Sequence, residues 1–508
     1  MKYQKSISFL FFFSIATLSF AQNIQNELQG IFSKYKLMGM SVVGICKNKV
    51  SFSYYRGLAD FGRNIPIDSN TKYRIASVSK SVTAMALMQL WQQGFFGLDD
   101  DVSTHLGFSL RNPNFPLTPI TYRMLLSHTS SLNDGNTYDT FLDATYTQNP
   151  PPALSELLTQ SGASYHSSMF INRQPGTYFT YSNVAYGVIG SLIEKISGKR
   201  FDIYCKEHIF QPLGLQASFN IQDFSNINQV AAIYRKIGGS WTATADHYAG
   251  TMPPARDLSA YTIGSNGLIF SPQGGLRISA KDLGILGVLM LNKGVYGNQR
   301  ILNAQTVELI LSPQWSFDGS NGNNYDCLFN EWGLGFHITT NRVRCDIVFG
   351  GKKMIGHPGE AYGLVSDWYF HLASGEVLVF VTNGSETAYT TSTKSAFYAV
   401  EQEVFDAIRK DFNTKCGENN PQSPIVSHLE GDAIFQVYPN PTQQNLYVAL
   451  PEKMAIELLI IDSFGKKVLK KNVFAQNYVL DLSSLSKGLY VLEIHSEKGL
   501  QRSKVLVQ

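Results

Sequence analysis

Apolar and polar positions change period repeatedly along this chain, and each change marks a different kind of element. Met40–Cys46 and Val50–Tyr55 are short apolar runs separated by Lys47-Asn48-Lys49, the signature of a β-hairpin. From Val78 to Gln93 the apolar residues fall at 78, 82, 85, 86 and 90, one face of a helix, and Gly94 ends it. Val184–Ile196, closed by Gly198, and Ala280–Leu291, ending at Gly294, predict two further helices. Strand-like runs return at Gly333–Thr339, Asp346–Phe349, Leu364–His371 and Glu376–Thr382, before a closing helix over Tyr398–Arg409. Strands at both ends with helices between them predict an α/β domain over residues 22–412, its sheet assembled from the two termini.

The composition shifts to Asn, Pro, Ser, Glu and Gly after Asn413, which predicts a linker over residues 413–433. Residues 434–508 then alternate in short segments: Leu446/Val448/Leu450, Ile456/Leu458/Ile460 and Tyr490/Leu492/Ile494. Turn signals at Asp462-Ser463-Phe464-Gly465 and Lys498-Gly499 separate them, so this part reads as a small all-β sandwich.

The first residues carry a different pattern. Lys2 and Lys5 precede the apolar stretch Ile7–Leu18, and Ser19-Phe20-Ala21 offers small residues at the positions a signal peptidase inspects. Residues 1–21 therefore read as a signal peptide cleaved before Gln22, with a retained anchor as the competing reading. The stretch falls short of the roughly 20 apolar residues that span a bilayer. No cysteine lies near the cleavage point to receive a lipid, and no later segment predicts a membrane span in the mature form.

Formal net charge is +3, two units of which come from Lys2 and Lys5. So neutral a mature surface argues against nucleic acid or an anionic membrane as partner. Five cysteines are too few for a disulfide scaffold. Cys327 and Cys345 are the nearest pair for a bridge, with isolated thiols as the alternative. No spacing fits a zinc motif and no His-Glu-x-x-His occurs, so neither metal nor cofactor is expected.

Candidate chemistry begins at Ser77-Val78-Ser79-Lys80, in the first turn of the first long helix. Residues three apart share a helix face, so a lysine amine can stand beside a serine hydroxyl, a weak nucleophile that needs such a base. The helix amino end also supplies free N–H groups for an oxyanion. The same spacing recurs at Ser33–Lys36, Ser463–Lys466 and Ser484–Lys487, but only Ser77 opens an amphipathic helix directly after a strand-to-helix turn. Tyr181-Ser182-Asn183 precedes the second helix: a tyrosine can relay a proton when a nearby lysine lowers its pKa, and an asparagine can bond a substrate amide. A capping turn is the alternative for that tripeptide, and Tyr438-Pro439-Asn440 matches it too. A third element, a basic residue followed two later by glycine, fits His357-Pro358-Gly359. His105-Leu106-Gly107 and Lys236-Ile237-Gly238 compete, the latter reading as a hairpin tip.

Taken in order, Ser77-x-x-Lys80, Tyr181-x-Asn183 and His357-x-Gly359 resemble the serine β-lactamase-like hydrolases. That family includes class C β-lactamases, D-alanyl-D-alanine carboxypeptidases, D-aminopeptidases and esterases, with penicillin-binding proteins among its relatives. Leu125–Ser130, Pro175-Gly176-Thr177, Pro212–Leu215, Gly274-Gly275-Leu276 and Trp332–Gly335 are similar as well, so the likeness runs from about residue 25 to 410. It implies an α/β domain of the β-lactamase/transpeptidase type, an antiparallel sheet flanked by helices beside a helical region. It further implies Ser77 as nucleophile, Lys80 and Tyr181 sharing general base and acid roles, and Asn183, His357 and Gly359 lining the substrate groove. The backbone N–H groups of Ser77 and Glu360 are the implied oxyanion donors. His128 is read as structural, because no Gly-x-Ser-x-Gly elbow accompanies it.

Two positions depart from the family pattern. His357 stands where class C β-lactamases have lysine, and Ser131 replaces a usual glycine after Ser-His-Thr-Ser. At the other end, Tyr438-Pro439-Asn440-Pro441, Gly465-Lys466-Lys467, Leu485-x-x-Gly488-x-Tyr490 and Lys504 resemble the sorting domain of the type IX secretion system. That implies a Gram-negative bacterium of the Bacteroidetes type, secretion machinery as partner, transit through the periplasm, and a secreted or outer-surface location. An adhesion or sugar-binding module is the alternative. The expected activity is hydrolysis of a small-molecule or peptide substrate, an ester or D-amino-acid amide, through an acyl-enzyme on Ser77. A true β-lactamase and a catalytically silent binding protein are the rivals.

Overall fold

Lys47 and Asn48 both take positive φ, 49° and 67°, so β1 (Gly39–Cys46) turns directly into β2 (Lys49–Asp60) through a two-residue loop. The computed structural model describes residues 24–416, 436–438, 444–462, 466–496 and 499–507, and the chain divides into two units at Asn419/Asn420. The segment read as a signal peptide and most of the linker lie outside the described residues. A short strand, β3 (Ile65–Pro66), flanks β2.

The rest of the sheet arrives some 250 residues later, as β4 (Trp315–Ser316), β5 (Glu331–Trp332), β6 (His337–Ile338), β7 (Ile355–Ala361), β8 (Leu364–His371) and β9 (Glu376–Thr382). Its order is β4-β5-β6-β7-β8-β9-β1-β2-β3, antiparallel throughout. The junction of β1 with β9, from Met40↔Thr382 to Cys46↔Glu376, joins the two ends of the domain as the strand pattern predicts.

Both faces of this sheet are covered, which is why β8 and β9 read as nearly unbroken apolar runs. Residues 24–34 form a helix (α1) that packs Ile24 and Leu28 on one face. Helices α2 (Ser79–Gln92), α3 (Asn183–Ser197), α4 (Ala280–Leu291) and α5 (Ala399–Lys415) follow in the chain. Val404 and Ile408 of α5 join α1 over Val42 and Phe380. On the other face α4 sits very close: a Cβ on Gly287 would lie 2.5 Å from Val377 Cγ1 and 3.0 Å from Trp368 Nε1, so only glycine fits. Beyond α4 stands the helical region, with α2 at its centre. The apolar spacing of α2 predicts one buried face, yet Ser79 through Leu90 are all buried. Two of its buried hydroxyls are satisfied by main-chain oxygens, Ser81 Oγ donating to Gly335 O (2.7 Å) and Thr83 Oγ1 to Pro272 O (2.8 Å).

Several sequence expectations need correction. Of Gly333–Thr339 only His337–Ile338 (β6) is strand: β5 ends at Trp332, and a bend separates the two. Asp346–Phe349 is no strand: Asp346 accepts from Thr340 N (2.7 Å) and Oγ1 (3.0 Å), and neighbouring Cys345 is bridged to Cys327. The strand in that region is β7, whose Gly-His-Pro-Gly interior hides the apolar alternation. Helix α5 runs to Lys415, and Cys416 beyond it is bridged to Cys46 at the end of β1. That second disulfide has no counterpart in the sequence reading, and Cys205 is a buried free thiol.

The second unit is antiparallel: β10 (Gln436–Tyr438), β11 (Asn445–Ile461), β12 (Lys467–Asp481), β13 (Gly488–Ser496) and β14 (Gly499–Val507). Strand β11 pairs with β10, β12 and β13, and β13 with β14. Leu446, Val448, Leu458, Ile460, Leu492, Ile494 and Val505 form its buried core. Among the described residues no helix is long and apolar enough to cross a membrane.

Candidate active site

A short strand, Lys72–Arg74, pairs with Arg277–Ser279 and delivers the chain to a strained corner. Ala76 takes φ 47°, a left-handed conformation that an alanine adopts only when its surroundings impose it. The corner sets half-buried Ser77 in a single 3₁₀ turn leading into α2. One turn on, Lys80 Nζ lies 3.2 Å from Ser77 Oγ. The same amine donates to Asn183 Oδ1 (2.7 Å) and to Gln273 O (2.8 Å). Lys80 is wholly buried, and desolvation pulls its pKa down to about 7, with the Asp134 carboxylate pulling the other way. A lysine so placed is substantially neutral near pH 7 and can accept the serine proton.

Asp134 is the residue that sequence reasoning missed. Its carboxylate accepts from Asn183 N (2.8 Å), Val184 N (2.9 Å) and Asn183 Nδ2 (2.8 Å). It thus sits at the amino end of α3, where the helix dipole favours an anion, and fixes the Asn183 amide so that its oxygen faces Lys80. Nothing local in the sequence marks it, because its partners lie 49 and 50 residues away.

Tyr181 stands across the site, its ring centroid 4.8 Å from Lys80 Nζ. Burial raises its phenol well above the ordinary tyrosine value, although a hydrogen bond with Ser77 acts against this. The lowered pKa expected from a neighbouring lysine is therefore not what the structure has. Lys80 is the group that titrates near neutrality, and Tyr181 remains a phenol. An aromatic wall fixes it: His128 stacks on it at 4.4 Å, Phe329 at 5.6 Å, and Trp332 meets it edge-on at 5.9 Å. His128 Nδ1 accepts from Ser182 N (3.1 Å), so this imidazole holds the Tyr181–Ser182 backbone in place.

Strand β7 closes the site. A Cβ on Gly359 would come within 2.8 Å of Ile75 O and 3.2 Å of Ser77 N, so the strand passes against the nucleophile's own backbone only because residue 359 lacks a side chain. Glu360 follows, with its carboxylate turned away to accept from Tyr398 OH (2.6 Å). His357 is wholly buried, Trp332 meeting it edge-on at 5.2 Å. Its Nδ1 lies 2.6 Å from Pro358 O and so must carry the proton, leaving Nε2 as an acceptor 3.5 Å from Tyr181 OH. Burial, then the nearby Lys80, hold its pKa well below the usual histidine range. His357 is therefore a neutral imidazole, and its Nε2 faces Tyr181 as an acceptor.

The competing motifs stand elsewhere. Lys236 lies over Trp241 at 5.1 Å on the hairpin Ile233–Ile237/Ser240–Ala245, and His105 Nδ1 bonds Tyr122 OH at 2.6 Å. Among the described residues no group of three or more His, Cys, Asp or Glu is placed to hold a metal ion.

This arrangement, on a sheet and helical region of this topology, defines the serine hydrolase fold common to β-lactamases and penicillin-binding proteins. The chain belongs to the beta-lactamase family, which it matches over residues 20–399. Residues 436–508 match the secretion system C-terminal sorting domain. Penicillin-binding protein 4* of Bacillus subtilis is 28% identical over 198 residues, 38% of this chain and 41% of that protein. Protein flp of Staphylococcus aureus is 27% identical over 195 residues, 38% of this chain and 37% of that protein. The chain thus spans about two fifths of the length of these relatives. Among solved structures, EstCE1, "a hydrolase with promiscuous acyltransferase activity", superposes with a TM-score of 0.56 at 21% identity, covering 78% of this chain and 100% of that one. A D-amino acid amidase from Ochrobactrum anthropi SV3 gives 0.54 at 19%, covering 77% and 98%.

Proposed function

We propose that the chain is an exported serine hydrolase that cleaves a small ester or D-amino-acid amide through an acyl-enzyme on Ser77. The observation that carries this is the buried Lys80 amine, 3.2 Å from Ser77 Oγ and brought to a pKa of about 7. Neutral Lys80 takes the hydroxyl proton as Ser77 Oγ attacks the substrate carbonyl. The N–H groups of Ser77 and Glu360 stabilise the oxyanion. The proton then passes from Lys80, by way of the Tyr181 phenol, to the leaving group as the C–O or C–N bond breaks. Water attacks the ester in the second half, with the same pair moving its proton. Asn183, His357 and Gly359 border the groove, Asn183 by orienting Lys80 and His357 by orienting Tyr181. No residue in this scheme needs a metal or cofactor.

Esters and D-amino-acid amides rank above β-lactams because the neutral His357 supplies no fixed cation for a carboxylate beside the reacting bond. Two proteins of the same fold carry such activities in their names, a hydrolase with promiscuous acyltransferase activity and a D-amino acid amidase. Export is supported by the Lys2–Ala21 pattern and by the sorting-domain match, which together predict a mature enzyme beginning near Gln22 and released or displayed at the outer surface. The deciding experiment compares kcat/KM for 4-nitrophenyl butyrate, a D-alanyl-D-alanine peptide, a D-amino-acid amide and nitrocefin. The ester or a D-amino-acid substrate should lead. Nitrocefin leading by a wide margin makes the protein a β-lactamase, and no turnover of any makes it a binding protein.

A further inference from the structure

We infer that a cavity on the flank of the site away from Tyr181 binds a carboxylate carried at the far end of the substrate's acyl group. The inference rests on the Ser77 reading for what is acylated, and on the cavity alone for what is bound.

Strand β7 supplies the ruler. His357, at one end, faces Tyr181, Gly359 passes Ser77 N, and Tyr362, just beyond the strand, lines a cavity of about 480 Å³. At about 3.3 Å per residue, Gly359 to Tyr362 is about 10 Å. Two further lining residues are close in the chain to residues of the site. Arg74 lies three residues before Ser77 and donates to Gly274 O (3.3 Å), and Ser271 lies two before Gln273, whose carbonyl holds Lys80. Tyr181 protonates the leaving group on the His357 side, so the acyl part extends the other way, past Gly274 and Tyr362.

The walls say what that part is. Three arginines line the cavity, Arg74, Arg256 and Arg277, against one carboxylate, Asp246. Arg277 takes both oxygens of Asp246, Nε to Oδ2 at 2.8 Å and Nη2 to Oδ1 at 2.7 Å, so this pair is neutral. Arg74 also feels the Asp246 charge, but neither it nor Arg256 is held in an ion pair, so three guanidinium groups share one carboxylate. Arg74 lies over the Tyr362 ring at 5.2 Å, and Arg256 donates to the main-chain oxygens of Thr145 and Gln148. Both are half-buried and keep N–H groups for a ligand. A surplus of two positive charges calls for an anion, and the planar fork suits a carboxylate. Tyr146, Phe219, Tyr248 and Phe270 between them provide apolar surface for a carbon stem. Carboxylate recognition thus moves from residue 357, where the imidazole is neutral, to a cationic cavity at the opposite end of β7.

Two esters of one length test this: 4-nitrophenyl monosuberate, with a free terminal carboxylate, and its neutral methyl ester. The ratio of their kcat/KM is taken within each protein, so folding defects cancel. The wild type should prefer the free acid by about tenfold or more, and Arg74→Gln and Arg256→Gln should each bring the ratio towards one. Calorimetric titration of suberate into Ser77→Ala protein should show saturable binding that Arg256→Gln weakens by a similar factor. Equal turnover of the two esters overturns the inference. If neither ester is turned over, suberate binding decides: binding lost on Arg256→Gln upholds the cavity while the Ser77 reading fails, and absence of binding overturns both.

Discussion

Replacing Asp134 by asparagine should move the acidic limb of the pH–rate profile to lower pH. Burial has brought Lys80 to about 7, and the Asp134 charge is the influence holding it up. Two hydrogen bonds, Lys80 Nζ to Asn183 Oδ1 (2.7 Å) and Asn183 Nδ2 to Asp134 Oδ2 (2.8 Å), with the amide between them, connect the two charges. For a separation of about 6 Å at an effective dielectric constant of about 20, the Coulomb energy is about 3 kcal/mol, a ceiling of about 2 pH units. The intervening amide and the helix amino end reduce this, so a shift of about 1 unit is the working expectation. Asparagine keeps an oxygen that can accept from Asn183 N and Val184 N, so the cap survives. The assay is kcat/KM for a neutral nitrophenyl ester from pH 5 to 9, which reports ionisation in the free enzyme. In the wild type it should rise about tenfold per unit below pH 7 and level off above, because only the neutral amine accepts a proton. A limb that stays in place, or moves to higher pH, in Asp134→Asn protein refutes the assignment of Lys80 as the titrating base.

Lys80→Ala and Tyr181→Phe should each lower kcat by about 10²-fold or more, and the double variant should be little worse than the poorer single one, because both groups serve one proton path. Multiplicative losses would mean that they act separately. A second pH effect concerns stability, at Asp367 in β8 and Glu401 in α5, two buried carboxyls that act on each other. Burial, and for Asp367 the Glu401 carboxyl, raise Asp367 well above the usual range, and burial raises Glu401 to about 8. Folded-state values above the unfolded ones give stability that is full below about pH 4 and is lost as pH rises towards 8. Asp367→Asn should therefore raise Tm, by more at pH 9 than at pH 5, and a pH-independent change would refute this.

What the sequence made legible is what depends on near neighbours. Ser77 and Lys80 are one helical turn apart, and the β1–β2 hairpin is specified by Lys47-Asn48 within its own loop. The sheet's composite origin was readable because strand-like runs stand at both ends of one domain. Long-range caps and bridges were not. Asp134 acts through backbone groups 49 and 50 residues away, and Cys46 meets Cys416 only once β1 and α5 have packed together. Strand β7 was obscured because its central positions are Gly356, His357, Pro358 and Gly359, a composition chosen by close approach to Ser77 and by the site. The electrostatics were the least legible. Residue type alone suggests a lowered tyrosine and an ordinary histidine, whereas complete burial raises Tyr181 and lowers His357.

The measurement closest to the central claim is the intact mass of the protein after exposure to an acylating probe such as a fluorophosphonate, followed by peptide mapping. Wild-type protein should gain the mass of one probe, located on Ser77, and should gain it faster as pH rises through 7. Ser77→Ala protein should gain none. A Ser77→Ala protein that still gains the probe at a residue of this site, or a wild-type protein labelled elsewhere, would contradict the account.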